Sequence, residues 1–229
     1  QASEGIERSG AMLLPSFAVG RAQEVILIFE RAMEDNKLKK VPIIVDGLVR
    51  NICKIYRSYP QMVTRWMNKR IMHHGDPFFY AGSPAVAIWD PKKRKDYAKM
   101  RPAIIVSSSG MLTGGPSQLY AQELAQEAEN FIAITGYQDE ESPGRRLQEI
   151  AKAGKGELTI AGNIIPIKCG IGTYSLSAHL DTPQILEVVE KIAPPRLVLV
   201  HGDAKARQEL AKIISQDREV FLPILGEEI

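Results

Sequence analysis

Ala103-Ile104-Ile105-Val106-Ser107-Ser108-Ser109-Gly110-Met111-Leu112-Thr113-Gly114-Gly115-Pro116 reads as a strand that runs into a loop of small residues and then into a helix. The run Ala103–Val106 is short, β-branched and apolar, the pattern of a buried strand. Gly114, Gly115 and Pro116 punctuate the chain, and Gln118–Glu129 then follows at helical spacing. The same grammar recurs on both sides. Ala11–Leu14, Val41–Val45, Phe131–Thr135, Ile164–Lys168, Tyr174–Ala178 and Arg196–Val200 read as further strands. Ala22–Glu34 places Val25, Ile28, Phe29, Ala32 and Met33 on a helical stripe, and Gln61–Met72, Pro183–Ile192 and Ala204–Ile214 are helical too. Asp181-Thr182-Pro183 is a helix start, a capping residue followed by proline in the first turn. Continuous apolar strands alternating with amphipathic helices predict an α/β fold, a mainly parallel sheet with helices on both faces.

Composition narrows the function. The 229 residues are 24% charged and 45% hydrophobic, an ordinary globular mix for one large domain or two small ones. Lys and Arg number 29 against 27 Asp and Glu, a net charge of +2, which excludes a histone-like basic protein but not a local basic patch. No apolar run approaches the roughly 18–20 residues that span a bilayer, so no membrane partner is expected. Gln1-Ala2-Ser3-Glu4 has neither the basic end nor the apolar stretch of a signal peptide. Two distant cysteines, Cys53 and Cys169, exclude a disulfide scaffold and point to a reducing, cytoplasmic location. The four histidines are His73, His74, His179 and His201, with no H-x-H, H-E-x-x-H or C-x-x-C, so this chain alone does not spell out a closed zinc site.

Several strand-to-helix junctions hold candidate chemistry. In Gly20-Arg21 a cation opens a helix, against the helix dipole, so Arg21 faces either a nearby carboxylate or a bound anion. The loop Ser107–Gly115 exposes backbone N–H groups suited to phosphate, or is a tight turn; it lacks the lysine of a P-loop. Gly144-Arg145 repeats the glycine-arginine helix opening. His179, in Ser175–Asp181, and His201, in Leu197–Asp203, each sit where a strand gives way to a helix, the edge at which open α/β sheets bind ligands. Histidine there serves proton transfer or zinc coordination. Asp46 ends another strand and points to the same edge. His73 and His74 read as decoration of a helix C-terminus. Lys92–Lys95 is a basic run, a solvated loop or a contact to a nucleic-acid backbone. A nucleotide-binding doubly wound domain ranks last, because Ser16–Arg21 lacks G-x-G-x-x-G.

In order along the chain, PSFAVGRAQE (15–24), IIVDGL (43–48), IIVSSSGMLTGGP (104–116), ITGYQ (134–138), SPGRRL (142–147), SLSAHLD (175–181) and LVLVHGD (197–203) resemble the β-CASP branch of the metallo-β-lactamase superfamily. The resemblance is closest to the group of the cleavage and polyadenylation factor nuclease subunit. It implies an RNA- or DNA-processing hydrolase with two zinc ions. It makes residues 11–170 the β-CASP domain and 171–229 a short returning segment of the metallo-β-lactamase domain. It makes His179 a general acid, His201 a zinc ligand, and Arg21, Ser108, Ser109, Gly110 and Arg145 candidate phosphate contacts. Asp203 stands where the family usually has Glu. The family's H-x-H-x-D-H ligands do not occur here, so the chain reads as the back portion of a longer zinc-dependent ribonuclease, inactive alone. The alternative is a non-catalytic RNA-binding or scaffold paralogue. A homo-oligomer is expected, because the returning segment would otherwise expose apolar surface.

Overall fold

In a computed structural model, residues 2–8, 10–174, 176 and 179–227 are described. The chain divides into two units, residues 1–176 and 177–229. The first contains α1 (Ala2–Glu7), β1 (Ala11–Pro15), α2 (Arg21–Glu34), β2 (Ile43–Asp46), α3 (Leu48–Ser58), α4 (Arg65–His74), β3 (Ala85–Ala87), α5 (Arg94–Ala98), β4 (Ala103–Ser107), α6 (Pro116–Leu124), β5 (Phe131–Ile134), α7 (Pro143–Ala153), β6 (Glu157–Ile160), β7 (Asn163–Pro166) and β8 (Gly170–Thr173). The second contains α8 (Thr182–Ile192), β9 (Arg196–Val198), α9 (Ala204–Ile214) and β10 (Glu219–Phe221).

Six strands form one sheet in the order β3-β2-β4-β1-β5-β8, and every neighbouring pair is parallel. Side chains of a strand alternate between faces, and here both faces are apolar. Met12, Leu14, Ile43, Val45, Ile104 and Val106 pack with residues of α2, α3 and α4. Leu13, Ile44, Ile105, Ile132 and Ile134 pack with Tyr120, Leu124, Leu147 and the β6–β7 residues Leu158 and Ile160. Burial on both sides explains why these strands read as unbroken apolar runs. The expected α/β class is the observed one.

Several expected boundaries move, each for a physical reason. The helix expected over Gln118–Glu129 is α6, Pro116–Leu124. It stops because the Ala125 carbonyl accepts from Lys168 N and Cys169 N, at 2.7 and 3.1 Å, instead of from a further helical turn. The run Ile164–Lys168 contributes β7, an arm of an antiparallel hairpin with β6. Its turn, Ala161-Gly162, holds both residues at positive φ, the conformation of a tight hairpin turn. The strand expected over Tyr174–Ala178 lies earlier, at Gly170–Thr173. Gly170 and Gly172 conceal it, yet a Cβ on either would lie 2.7 Å from the Phe131 ring, so glycine lets β8 close onto β5. Tyr174 and Leu176 are outside any strand, and Ser175, Ser177 and Ala178 lie outside the described residues. The strand expected over Arg196–Val200 ends at Val198 and pairs with β10 in a separate two-stranded sheet.

The two thiols test this packing. Cys53 and Cys169 are free and buried, and burial pushes each thiol up to about 12. The thiolate is the reactive form. Native protein at pH 8 is therefore expected to give no rapid reaction with an aromatic disulfide reagent, and two equivalents at once in denaturant. A fast native thiol would contradict the buried placement.

Candidate functional site

The parallel sheet brings its strand C-termini to one edge. Pro15 pairs with Ser107, and Asp46 with Ser107, in register, so the chain after β1, β2 and β4 leaves from adjacent points. Ser16 N donates to Ser107 O at 2.9 Å. β5 lies on the other side of β1, and its exit carries Gly136, Tyr137 and Gln138.

Asp46 is the hub of this edge. It is fully buried. Arg94 donates to it from Nε at 2.6 Å and from Nη2 at 3.2 Å. The Tyr120 hydroxyl donates at 3.0 Å and Gly47 N at 2.6 Å. Arg50 Nη1 lies 3.5 Å from its Oδ1. A buried carboxylate needs such a ring of donors, because an unpaired charge in a low dielectric is costly. Its hydrogen bond to Arg94 raises the guanidinium's pKa. Burial first, then the charge of Asp46, pushes the Tyr120 hydroxyl well above its ordinary value. The basic run thus splits by role: Arg94 turns inward, whereas Lys92, Lys93 and Lys95 are exposed.

The loop after β4 is held by its own hydroxyls. Ser108 Oγ accepts from Leu48 N at 3.0 Å. Ser109 Oγ accepts from Thr113 N and Gly114 N at 3.1 and 3.3 Å. Ser117 Oγ donates to Ser109 O at 2.9 Å. Gly110 is buried against the chain after β1, where a Cβ would meet Phe17 N at 2.9 Å. Its carbonyl accepts from Gln138 Nε2 at 3.1 Å. Gly115 closes the loop at φ +69°, and a Cβ there would lie 2.6 Å from Ser108 O. Gly115→Ala combines an unfavourable φ with a clash against backbone, so a loss of about 1–3 kcal/mol is expected, read as a lower urea midpoint. An unchanged midpoint would refute this account of the loop.

Arg21 and Arg145 sit alike in sequence and differ in structure. Arg21 opens α2 and pairs with Glu24, so of the two partners left open for it the carboxylate is present. Arg145, in the first turn of α7, is exposed, and its backbone N donates to Ser142 Oγ at 3.1 Å. It has no ion-pair partner among the described residues.

In the second unit His179 precedes α8 and is exposed. A capping box between Asp181 and Gln184 fixes the start of α8. His201 is exposed in the turn between β9 and α9, at φ 57°. Among the described residues no three His, Cys, Asp or Glu side chains converge as a metal site. His73 and His74 belong to α4, where His74 stacks on Tyr80 at 3.9 Å between centroids.

Sequence reasoning missed Arg50 and Trp89. They lie 39 positions apart, and only tertiary structure places the Arg50 guanidinium 5.0 Å from the Trp89 ring centroid.

Residues 22–147 match the family model described as the Beta-Casp domain. Residues 164–223 match one described as a Zn-dependent metallo-hydrolase RNA specificity domain. The chain is 30% identical over 97% of its length to a protein named transcription termination factor FttA from Methanocaldococcus jannaschii, of which it covers 36%. It is 33% identical over 98% of its length to a protein of the same organism named RNase J-like protein, of which it covers 51%. A transcription termination factor FttA from Methanococcus maripaludis is 32% identical over 91% of the chain, which covers 33% of it. The chain thus spans between a third and about half of these relatives. With more than half of its residues matched by a single family model, the chain belongs to the Beta-Casp domain family.

Proposed function

We propose that this chain is the RNA-binding and active-site-completing portion of a zinc-dependent ribonuclease that hydrolyses phosphodiesters in RNA processing. The observation that carries the reading is the succession of the two matches on one chain, the Beta-Casp domain at 22–147 and the metallo-hydrolase RNA specificity domain at 164–223. In the whole protein two zinc ions supply Lewis-acid chemistry at the phosphate. His201 is one ligand, and the remaining ligands come from outside this chain. His179 gives a proton to the leaving oxygen. Arg21, Arg145 and the loop of Ser108, Ser109 and Gly110 approach RNA phosphates, Arg145 with its guanidinium free of any described carboxylate. The protein acts in the cytoplasm and self-associates. The second reading is a non-catalytic RNA-binding or scaffold paralogue of a cleavage complex.

Zinc analysis and cleavage of labelled RNA separate these readings. This chain alone is expected to hold no stoichiometric zinc pair and to cleave nothing, while the whole gene product does both. His179→Ala in the whole protein is expected to lower the cleavage rate by roughly 10²–10⁴-fold without changing zinc content. A whole protein that binds RNA without zinc or cleavage would establish the second reading. Zinc-dependent turnover by this chain alone would overturn the division of labour.

A further inference from the structure

We propose that Arg50 and Lys54, seated on Trp89 beside the cavity between α3 and the loop after β4, form a contact site for successive phosphates of a single-stranded nucleic acid. The proposal deepens the RNA reading by naming residues that reading does not use. The cavity has a volume of about 420 Å³, and its lining includes Leu48, Arg50, Asn51, Ser109, Thr113 and Pro116. The wall is largely apolar and carries one cation, so the attraction for an anion comes from Arg50 rather than from the lining as a whole.

Arg50 is the unusual member. Its side chain is only 16% exposed. Its Nε and Nη1 are buried and make no hydrogen bond. A guanidinium offers five donors, but those on these two buried atoms are out of a ligand's reach, so Arg50 acts on the cavity mainly through its charge. It is held in place by the charge of Asp46 at 3.5 Å and by the Trp89 ring at 5.0 Å. Arg94 already makes the two-point hydrogen-bonded pair with Asp46. Two arginines on one carboxylate leave one net positive charge beside the cavity.

Lys54 extends the site. It lies one helical turn beyond Arg50, about 6 Å along α3, and its Nζ is 3.8 Å from the Trp89 ring centroid. It has no carboxylate partner among the described residues. Lys92 and Lys93 are exposed shortly after Trp89. The nearest acidic neighbour in sequence, Asp90, accepts from Lys92 N at 3.0 Å. Two cations one turn apart, fixed by a shared indole, match a repeating chain of phosphates better than they match one small anion. Trp89 is 48% exposed, which leaves its indole in contact with solvent as a reporter.

The chain has two tryptophans, so a Trp66→Phe background leaves Trp89 as the sole indole reporter. Oligouridylate and, separately, inorganic pyrophosphate are titrated while Trp89 emission is followed over a range of salt. Oligouridylate is expected to change the emission. Arg50→Gln with Lys54→Gln is expected to raise Kd about tenfold or more and to lower the log Kd against log salt slope by roughly 0.7 for each lost contact. Lys54→Gln alone alters an exposed residue and reports on the site even if Arg50→Gln does not fold. Arg50→Lys is expected to restore part of the affinity. Oligouridylate binding with an unchanged Kd and salt slope in folded variants would overturn the site while leaving the RNA reading intact. A response to pyrophosphate that needs Arg50, with none to oligouridylate, would uphold a phosphate pocket and reject RNA as its occupant. No response of Trp89 to either probe would overturn the site, while the RNA reading would stand or fall on the cleavage and zinc measurements.

Discussion

Asp46→Ala is expected to lower the thermal midpoint of the chain by roughly 6–12 °C, which corresponds to about 3 kcal/mol for a chain of this size. The cost arises from what the substitution leaves behind. Arg94, Arg50 and Tyr120 all face Asp46, and without the carboxylate two guanidinium groups are left close together with no counter-charge. Breaking a buried pair commonly costs about 3–5 kcal/mol. The lower end applies because Arg94 keeps 23% of its side chain in contact with solvent and can turn outward. Asp46→Asn retains the shape and an acceptor for Tyr120, so it is expected to fall between wild type and Asp46→Ala. A melt followed by circular dichroism decides the matter. A midpoint within 2 °C of wild type for Asp46→Ala would show that the hub contributes little.

The contrast between Asp46 and Arg50 also marks what the sequence could and could not convey. The core strands were legible because both faces of the sheet are covered, so β1, β2, β4 and β5 appear as continuous apolar runs with no competing reading. β8 was not, because Gly170 and Gly172 serve the Phe131 ring rather than strand propensity. The hairpin of β6 and β7 was half legible, since only Leu158 and Ile160 of β6 face inward and its turn uses an alanine at positive φ. At the site, Asp46 could be placed at the strand edge from local pattern alone. Its partners could not: Arg94 and Tyr120 come from elements 48 and 74 residues away, and sequence spacing carries no record of such contacts. For the same reason Lys92–Lys95 reads as one basic run, although one of its members faces inward and the others face water.

Amide hydrogens of the second unit, across α8, β9, α9 and β10, are expected to exchange at least about 100-fold faster than those of β1, β2, β4 and β5. The reason is the size of the core each segment has. Among the described residues of the second unit only Val189, Ala211 and Ile214 are buried apolar side chains, while Ile192, Val200 and Ile224 are 69%, 65% and 73% exposed. A segment of about 50 residues with so little buried apolar surface does not reach independent stability. Its helices rest largely on local devices such as the Asp181–Gln184 capping box, which contributes about 1 kcal/mol. The central strands, buried on both faces, open only when the whole sheet unfolds. A gap of about 3 kcal/mol between the two opening free energies is a factor of roughly 100 in protection. Exchange read by mass spectrometry at two protein concentrations extends the test. If copies of the chain cover this exposed apolar surface, exchange in 182–221 slows as concentration rises, and light scattering shows a dimer. If the surface instead belongs against the remainder of a longer protein, exchange is independent of concentration and slows only when that remainder is present. Protection equal to that of the central strands, at every concentration, would show that the second unit is stable by itself.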